Sequence, residues 1–368
     1  MDRVGGIGVG VAVGWNIAIL GPVATQLSHA YHVSLTTIGL FVTVQFLTHM
    51  LMQIPGGRAA DRLGARTSAL IGLAFITVGN AISLPAAEPS LAFLGRAVVG
   101  IGTGFALVSG SDYIRARGGS PVMQGIYGGG SVLAPGVAVA LMPHLEGAGG
   151  FRAPYLSAIA VSLVCALLLV LAPAVEPTVR HAGERLDAAF FRDRRLYRYA
   201  AIHAMSFGFS VVVGNWVVTL LEHHGETKSA AAFAGSLTLL LGFFTRVLGG
   251  ALLRHRSAPS WVAASLVIGG LGAIVLALPL PYAAVVVVSG VVGLAAGVPF
   301  ATAFTGAAAA RPDAPGAAVG FVNAWASLVI VAGTPLVGLT FSLPGDGRIG
   351  FVALGICAAL ASLATPRG

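Results

Sequence analysis

The chain is cut into apolar runs of about twenty residues, and few folds accommodate that pattern. A run of this length crosses a ~30 Å hydrocarbon core as a helix, which satisfies every backbone N–H and C=O within the segment. With edges set by Pro, Gly and charge, twelve runs lie at roughly 6–28, 34–56, 67–86, 90–112, 123–143, 152–173, 197–221, 230–252, 259–279, 282–306, 317–340 and 347–365. Composition agrees: 56% of residues are hydrophobic and 9% charged, against about 25% charged in a soluble domain. A spanning β-barrel would alternate over ~10-residue segments, and no such alternation occurs. The 51 glycines suit helices that approach closely in lipid. The sequence predicts an all-α polytopic membrane protein with twelve transmembrane helices.

The net charge of +8 raises the question of nucleic acid. Its distribution answers it. With the N-terminus placed inside, the inner loops collect Arg3, Arg58, Arg62, Arg66, Arg115, Arg117, Arg180, Arg185, Arg192, Arg194, Arg195, Arg198, Arg254, Arg256, Arg311 and Arg367. Only Arg152, Lys228 and Arg348 fall outside, and Arg96 and Arg246 lie within spans. One missed helix would invert every later loop, so the bias supports the count and places both termini in the cytoplasm. The basicity is topological and points to a plasma (inner) membrane protein that binds no nucleic acid. The stretch "MDRVGGIGVGVAVGW" reads as a first transmembrane helix rather than a removed signal. Cys165 and Cys357 sit far apart in apolar runs and read as packing residues, so no metal site is expected.

The longest polar segment, about 176–198, divides the chain into a six-span half at 1–175 and another at 199–368. "LDAAFFRDRRLYRY" within it suits a short interfacial amphipathic helix. Offset by 193 residues, the second half repeats the first: Gly56-Gly57 falls on Gly249-Gly250, and Gly100 and Gly104 on Gly293 and Gly297. These pairs occupy matching spans. Two pseudo-symmetric six-helix halves are a transporter architecture, with the substrate expected between them.

Three stretches carry a family resemblance. "GGRAADRLGARTSAL" resembles the G-x-x-x-D-R-x-G-R-[KR] loop between helices 2 and 3 of the major facilitator superfamily. "GRAVVGIGTG" resembles its fourth-helix motif, and "GFRAPYL" its entry to helix 6. The resemblance implies a secondary transporter that works by rocker-switch alternating access. It also implies that Gly57, Asp61, Arg62 and Arg66 belong to an ion-pair latch favouring the outward-open state. Asp112, at the same end of span 4, is placed to join Arg62 or Arg66. The second-half copy carries Arg254 where the offset leads to the Asp61 equivalent, so its latch is expected to be missing.

A charged side chain at mid-bilayer costs roughly 2.5–3.5 kcal/mol on insertion scales, so its default reading is functional. Arg246, a turn inside Gly249-Gly250, is the leading candidate for holding substrate. Arg96 is divided between a substrate role and a tie to backbone carbonyls. All thirteen acids lie in loops or at span ends, so the interior favours an anionic substrate that the planar Arg fork can grip. The offset places Gln53 at the span-2 position equivalent to Arg246. "TRVLGGALLRHR" and "SGSDYI" also resemble the nitrate/nitrite porter branch, where an arginine is expected on both spans 2 and 8. Gln53 replaces one of them, which favours a monoanion with a larger organic body over nitrate. Asn16, Gln124, Tyr127, Asn215 and Asn323 complete the candidate binding set, alongside Trp15, Trp216 and Trp325 as lining or anchoring aromatics. His49 is the candidate for proton coupling, with a proton or counter-anion as coupling ion.

No Walker loop is present, and the Gly runs lack the preceding strand of a nucleotide fingerprint, so no cofactor is expected. An intramembrane hydrolase built on His49 with Ser109 or Ser111 lacks a recognisable motif, and the chain does not read as an enzyme. The rival within transporters is a proton-coupled drug or metabolite efflux antiporter, against which the lack of a mid-membrane acid counts. The expected partners are a small-molecule substrate and the lipid bilayer, and the expected state is a monomer.

Overall fold

The computed structural model describes residues 3–178, 186–255, 258–345 and 347–366. Asp2, Arg180, Glu184, Arg185, Arg256, Asp346 and Arg367 lie outside the described residues. The chain is helical, in the order α1 (Val4–Tyr31), α2 (Leu35–Leu63), α3 (Ala65–Ile82), α4 (Pro89–Ala116), α5 (Pro121–Gly149), α6 (Ala153–Val170), α7 (Arg194–His223), α8 (Lys228–Leu252), α9 (Ala258–Leu276), α10 (Tyr282–Ala310), α11 (Pro315–Thr340) and α12 (Arg348–Ala364). Among the described residues, ten stretches are long and apolar enough to cross a membrane. One of them, Pro121–Val170, turns at the 3₁₀ segment Gly150–Arg152 and supplies both α5 and α6. With the shorter apolar α12 the described residues contain twelve helices of the expected kind. The linker is described at its ends, where Ala188–Arg192 forms a short helix capped by Asp187.

The charged "loop" is mostly helix. α2 continues through Pro55, Gly57 and Asp61 to Leu63, and Gly64 turns the chain with φ +84°. A Cβ there would meet the Val175 carbonyl, so both conformation and space call for glycine. The motif thus presents Arg58, Asp61 and Arg62 on the last two turns of α2 and Arg66 on the first turn of α3.

The repeat is visible in matched contacts. Ser34 caps α2 through the Thr37 N–H (3.2 Å), and Thr227, 193 residues on, caps α8 through Ala230 (3.3 Å). Gly56 lies against Phe105, and Gly249 against Val298. Gly104 lies against the His49 carbonyl, and Gly297 against that of Gly242. Each pair of neighbours keeps the same offset, so the two halves are built on one helix-packing plan in which small residues let backbones touch.

Two compact units emerge. One comprises Met1–Gly119, Gly130–Leu186 and Arg311–Phe321; the other comprises Ser120–Gly129, Asp187–Ala310 and Val322–Gly368. The first has a core around Trp15, Leu27, Tyr31, Phe41, Met142 and Tyr155. Its α3 and α4 meet along Gly72, Gly79, Gly95 and Gly102. The second has a core around Phe209, Val213, Val217, Leu221, Leu276 and Phe351, and Gly270 of α9 meets Gly355 of α12 backbone to backbone. Outward-facing Leu, Val and Phe residues such as Leu171, Val287 and Leu339 are well exposed, as lipid contact requires.

Candidate functional site

Arg246 lies on α8 five residues past the interruption at Leu241, and its side chain is buried. Its Nη1 donates to the Gly128 carbonyl of α5 (2.6 Å). The guanidinium sits over the Phe300 ring of α10 at 4.5 Å and the Phe207 ring of α7 at 5.1 Å. A cation over aromatic faces is stabilised by their quadrupoles, the more so when desolvated. The close approach of α5 depends on glycine: a Cβ at Gly125 would strike the Arg246 carbonyl, and one at Gly128 the Phe300 ring. Gln124 and Tyr127 are buried on the same two turns of α5. Phe207 belongs to a π-helical turn, Ala204–Gly208, inserted into α7. Such turns re-aim side chains and recur at functional sites.

The same rings hold a group that the sequence reading missed. His203 stacks on Phe207 (5.8 Å, 19°) and meets Phe300 and Phe304 edge-on at 5.7 and 4.9 Å. Its Nε2 is 3.0 Å from Oδ1 of Asn323 on α11. His203 and Asn323 are fully buried, and His203 Nδ1 and Asn323 Nδ2 have no hydrogen-bond partner. Thus Arg246, Gln124, Tyr127 and Asn323 gather in one unit with His203, Phe207 and Phe300. Asn215 does not join them: it is exposed on α7, two turns beyond Phe207. Trp216 stacks on Phe341 (4.9 Å) and donates to the Thr334 carbonyl, and Trp325 faces the Tyr197 ring.

Gln53, at the equivalent position of the other half, is in a different setting. It is fully buried, with its Nε2 2.6 Å from His49 Nε2 and its Oε1 without a partner. His49 Nδ1 is 3.0 Å from Thr103 Oγ1, which itself donates to the Gly100 carbonyl (3.1 Å). Thr103 therefore accepts from Nδ1–H, and Gln53 donates to Nε2, so both ring nitrogens of His49 are engaged. Gly320 lies on the Gln53 carbonyl as Gly125 lies on that of Arg246.

Arg96 is fully enclosed on α4. Its Nη2 donates to the Asn16 carbonyl (2.7 Å) and to the Gln45 Oε1. Asn16 Oδ1 accepts from Asn80 (2.8 Å), and its own amide donates to Ala12 O. Tyr31 and Tyr155 pair through their hydroxyls (3.0 Å) nearby. Asn16 and Arg96 thus join a polar network with Gln45 and Asn80, which no local pattern in the sequence marks. Trp15, from the same turn as Asn16, donates to Ser157 (3.1 Å).

The charged end of α2 makes a third cluster. Asp61 is fully buried; its Oδ1 accepts the Gly316 N–H (2.8 Å) and its Oδ2 that of Ala317 (3.0 Å), capping the first turn of α11. A Cβ at Gly57 would run into the Gly316 carbonyl. Asp112 and Arg58 both act on Asp61 electrostatically, and Asp112 pairs with Arg115 (2.6 Å). Arg66 holds the end of α6 through the Leu169 carbonyl (3.1 Å) and that of Val170. Arg58 also acts on Asp313, whose carboxyl is held below its ordinary range chiefly by the Arg311 hydrogen bond. Arg62 lies on the same terminal turn. Among the described residues no group of His, Cys, Asp and Glu is placed to hold a metal.

The sequence matches the family model of the Major Facilitator Superfamily over residues 7–334. A comparison with curated proteins gives no match. Among solved structures, the Escherichia coli fucose:proton symporter FucP is similar with a TM-score of 0.78 at 14% identity, covering 99% of this chain and 98% of that one. A further FucP structure, in the outward conformation, gives 0.76 at 15% identity with 98% and 97% covered. The human organic anion transporter MFSD10 gives 0.78 at 14% identity with 99% of each chain covered. At such identities the structural likenesses show the fold. The family match, spanning most of a twelve-helix chain, shows that the protein belongs to the major facilitator superfamily of multi-pass membrane transporters, which are not enzymes.

Proposed function

We propose that this secondary transporter carries a small organic monoanion, with Arg246 as the group that holds the charge. The observation that carries the reading is the setting of Arg246: a guanidinium buried within a membrane span, set between two phenyl faces and a carbonyl. The planar fork suits a carboxylate or other oxyanion. The rings and the small-residue face of α5 suit the apolar body attached to it. Gln53 supplies amide chemistry where the porters of nitrate carry a second arginine, which supports an organic cargo over nitrate. MFSD10, described as an organic anion transporter, shares the fold.

Asp61 acts in this reading as a conformational latch. Its carboxylate neutralises the N-terminus of α11, where an anion is favoured by about 0.3–1 kcal/mol at an exposed end and up to about 2 kcal/mol when partly buried. Alternating access would make and release that cap once per cycle. We place the chain in the plasma membrane, as a monomer, with both termini cytoplasmic.

The test is a thermal-shift screen of nitrate, benzoate, lactate and tetraphenylphosphonium on the purified protein and Arg246→Ala. An organic anion should raise the wild-type midpoint and leave the variant unmoved. Stabilisation by tetraphenylphosphonium alone would favour the drug-efflux reading. Equal stabilisation of both proteins by an anion would remove Arg246 from the site.

A further inference from the structure

We propose that His203, through its Nδ1, is the proton-binding group of coupled transport, so that the anion held at Arg246 moves together with one proton. The proposal rests on the anion reading above and adds the coupling ion and its residue.

Three observations converge. With the Asn323 oxygen accepting, the proton of the neutral imidazole sits on Nε2, and Nδ1 presents a lone pair that no group satisfies. His49, the other buried histidine within a span, has both nitrogens occupied by Thr103 and Gln53. His203 also shares its two ring neighbours with Arg246: Phe207 and Phe300 contact both. A ring enclosed by three phenyls is reached by a proton far more readily than by a solute.

The charges set the order of events. A proton on Nδ1 makes His203 a second cation beside Arg246, and at low dielectric the two repel. An anion on Arg246 offsets that repulsion, so anion and proton favour each other, and by linkage the effect is reciprocal. Nδ1 takes its proton from hydronium on one side of the membrane, leaving water and an imidazolium. On the other side the anion departs, the repulsion returns, and the proton passes to water. Among the described residues, Arg246 is the charged group that acts on His203. The stretches of α10 and α11 around it (Pro299–Ala310 and Pro315–Thr340) contain no titratable residue, and neither does the end of α12 at Ser362–Ala364. On its own helix Tyr199 lies a turn earlier against Gly306, with Arg195 and Arg198 beyond it at the Ala310 and Thr365 carbonyls.

The experiment measures proton uptake on benzoate binding to the purified full chain in weakly buffered micelles, followed with a pH indicator. Wild type should take up close to one proton per benzoate bound. His203→Phe, which keeps the aromatic packing, and His203→Gln should bind benzoate with at least a fivefold smaller proton uptake. Benzoate binding without proton uptake by the wild type overturns the coupling while leaving the anion reading intact, and so does full uptake in a folded His203 variant. No benzoate binding by the wild type overturns both. If neither variant folds, ¹⁵N-histidine NMR of the wild type decides. Benzoate should protonate a single imidazole, and no change in any ring would sink the proposal.

Discussion

At the residue scale, a few buried side chains carry charge or amide chemistry within an apolar span or at its end, and these were legible as exceptions. Asp61 is one. Its role is specific because both oxygens are committed to the N–H groups of Gly316 and Ala317. Asp61→Asn keeps the shape and one acceptor but removes the charge at the helix N-terminus. A loss of up to about 2 kcal/mol shifts a two-state equilibrium by up to about thirtyfold. Turnover in proteoliposomes should therefore fall about tenfold while anion affinity in micelles changes less than threefold. Unchanged turnover would mean the cap is not made and broken in the cycle. Arg246, Gln53 and Asp61 could be found because each interrupts an apolar run or sits at a repeat offset. His203 could not, since it lies near a cluster of arginines and looks like part of a helix end. Only the fold brings Phe207, Phe300, Phe304 and Asn323 around it.

At the element scale, glycines decide where helices may touch, and their contacts divide them into two kinds. Gly125 of α5 lies on the backbone of α8 at Arg246, and an added Cβ there would meet carbonyl and Cα atoms that cannot swing aside. Gly130, further along α5, has only methyl groups of Val11 and Ile7 at 3.5 and 3.7 Å from the same virtual atom. Overpacking of a tight contact costs about 1–3 kcal/mol, whereas alanine in a helix with room gains up to about 1 kcal/mol over glycine. Gly125→Ala should lower the melting midpoint by several degrees and weaken anion binding by displacing the Arg246 backbone. Gly130→Ala should melt at or above the wild type. Equal effects in a melting curve would show that the helix spacing is softer than these contacts require. Helix positions were readable because apolar length and breakers fix them. The helical course of Gly57–Leu63 was not: charge and glycine suggest a loop, but contacts with α11 hold that stretch in helix.

At the scale of the whole molecule, orientation follows from charge that no single contact explains. Arg192, Arg194, Arg195 and Arg198 cluster just before and within the first two turns of α7, exposed to solvent, while Lys228, the first residue of α8, is the one Lys or Arg at the connection between α7 and α8. Insertion retains such clusters on the cytoplasmic side. The twelve helices were legible because insertion reads the same hydropathy. The Arg96 network escaped the sequence because its members, Asn16, Gln45 and Asn80, come from four different helices together with Arg96 itself. The orientation can be read by cysteine labelling in intact cells, in a Cys357→Ser background, since Cys357 is exposed and Cys165 is buried. A membrane-impermeant maleimide should label Lys228→Cys directly and Arg194→Cys only after permeabilisation. An even number of spans separates the two termini, so a C-terminal fluorescent fusion should light up in the cytoplasm alongside it. The opposite labelling pattern would invert every loop at once. It would place the Asp61 cap on the outer face and turn the proposed latch into a lock on the inward-open state.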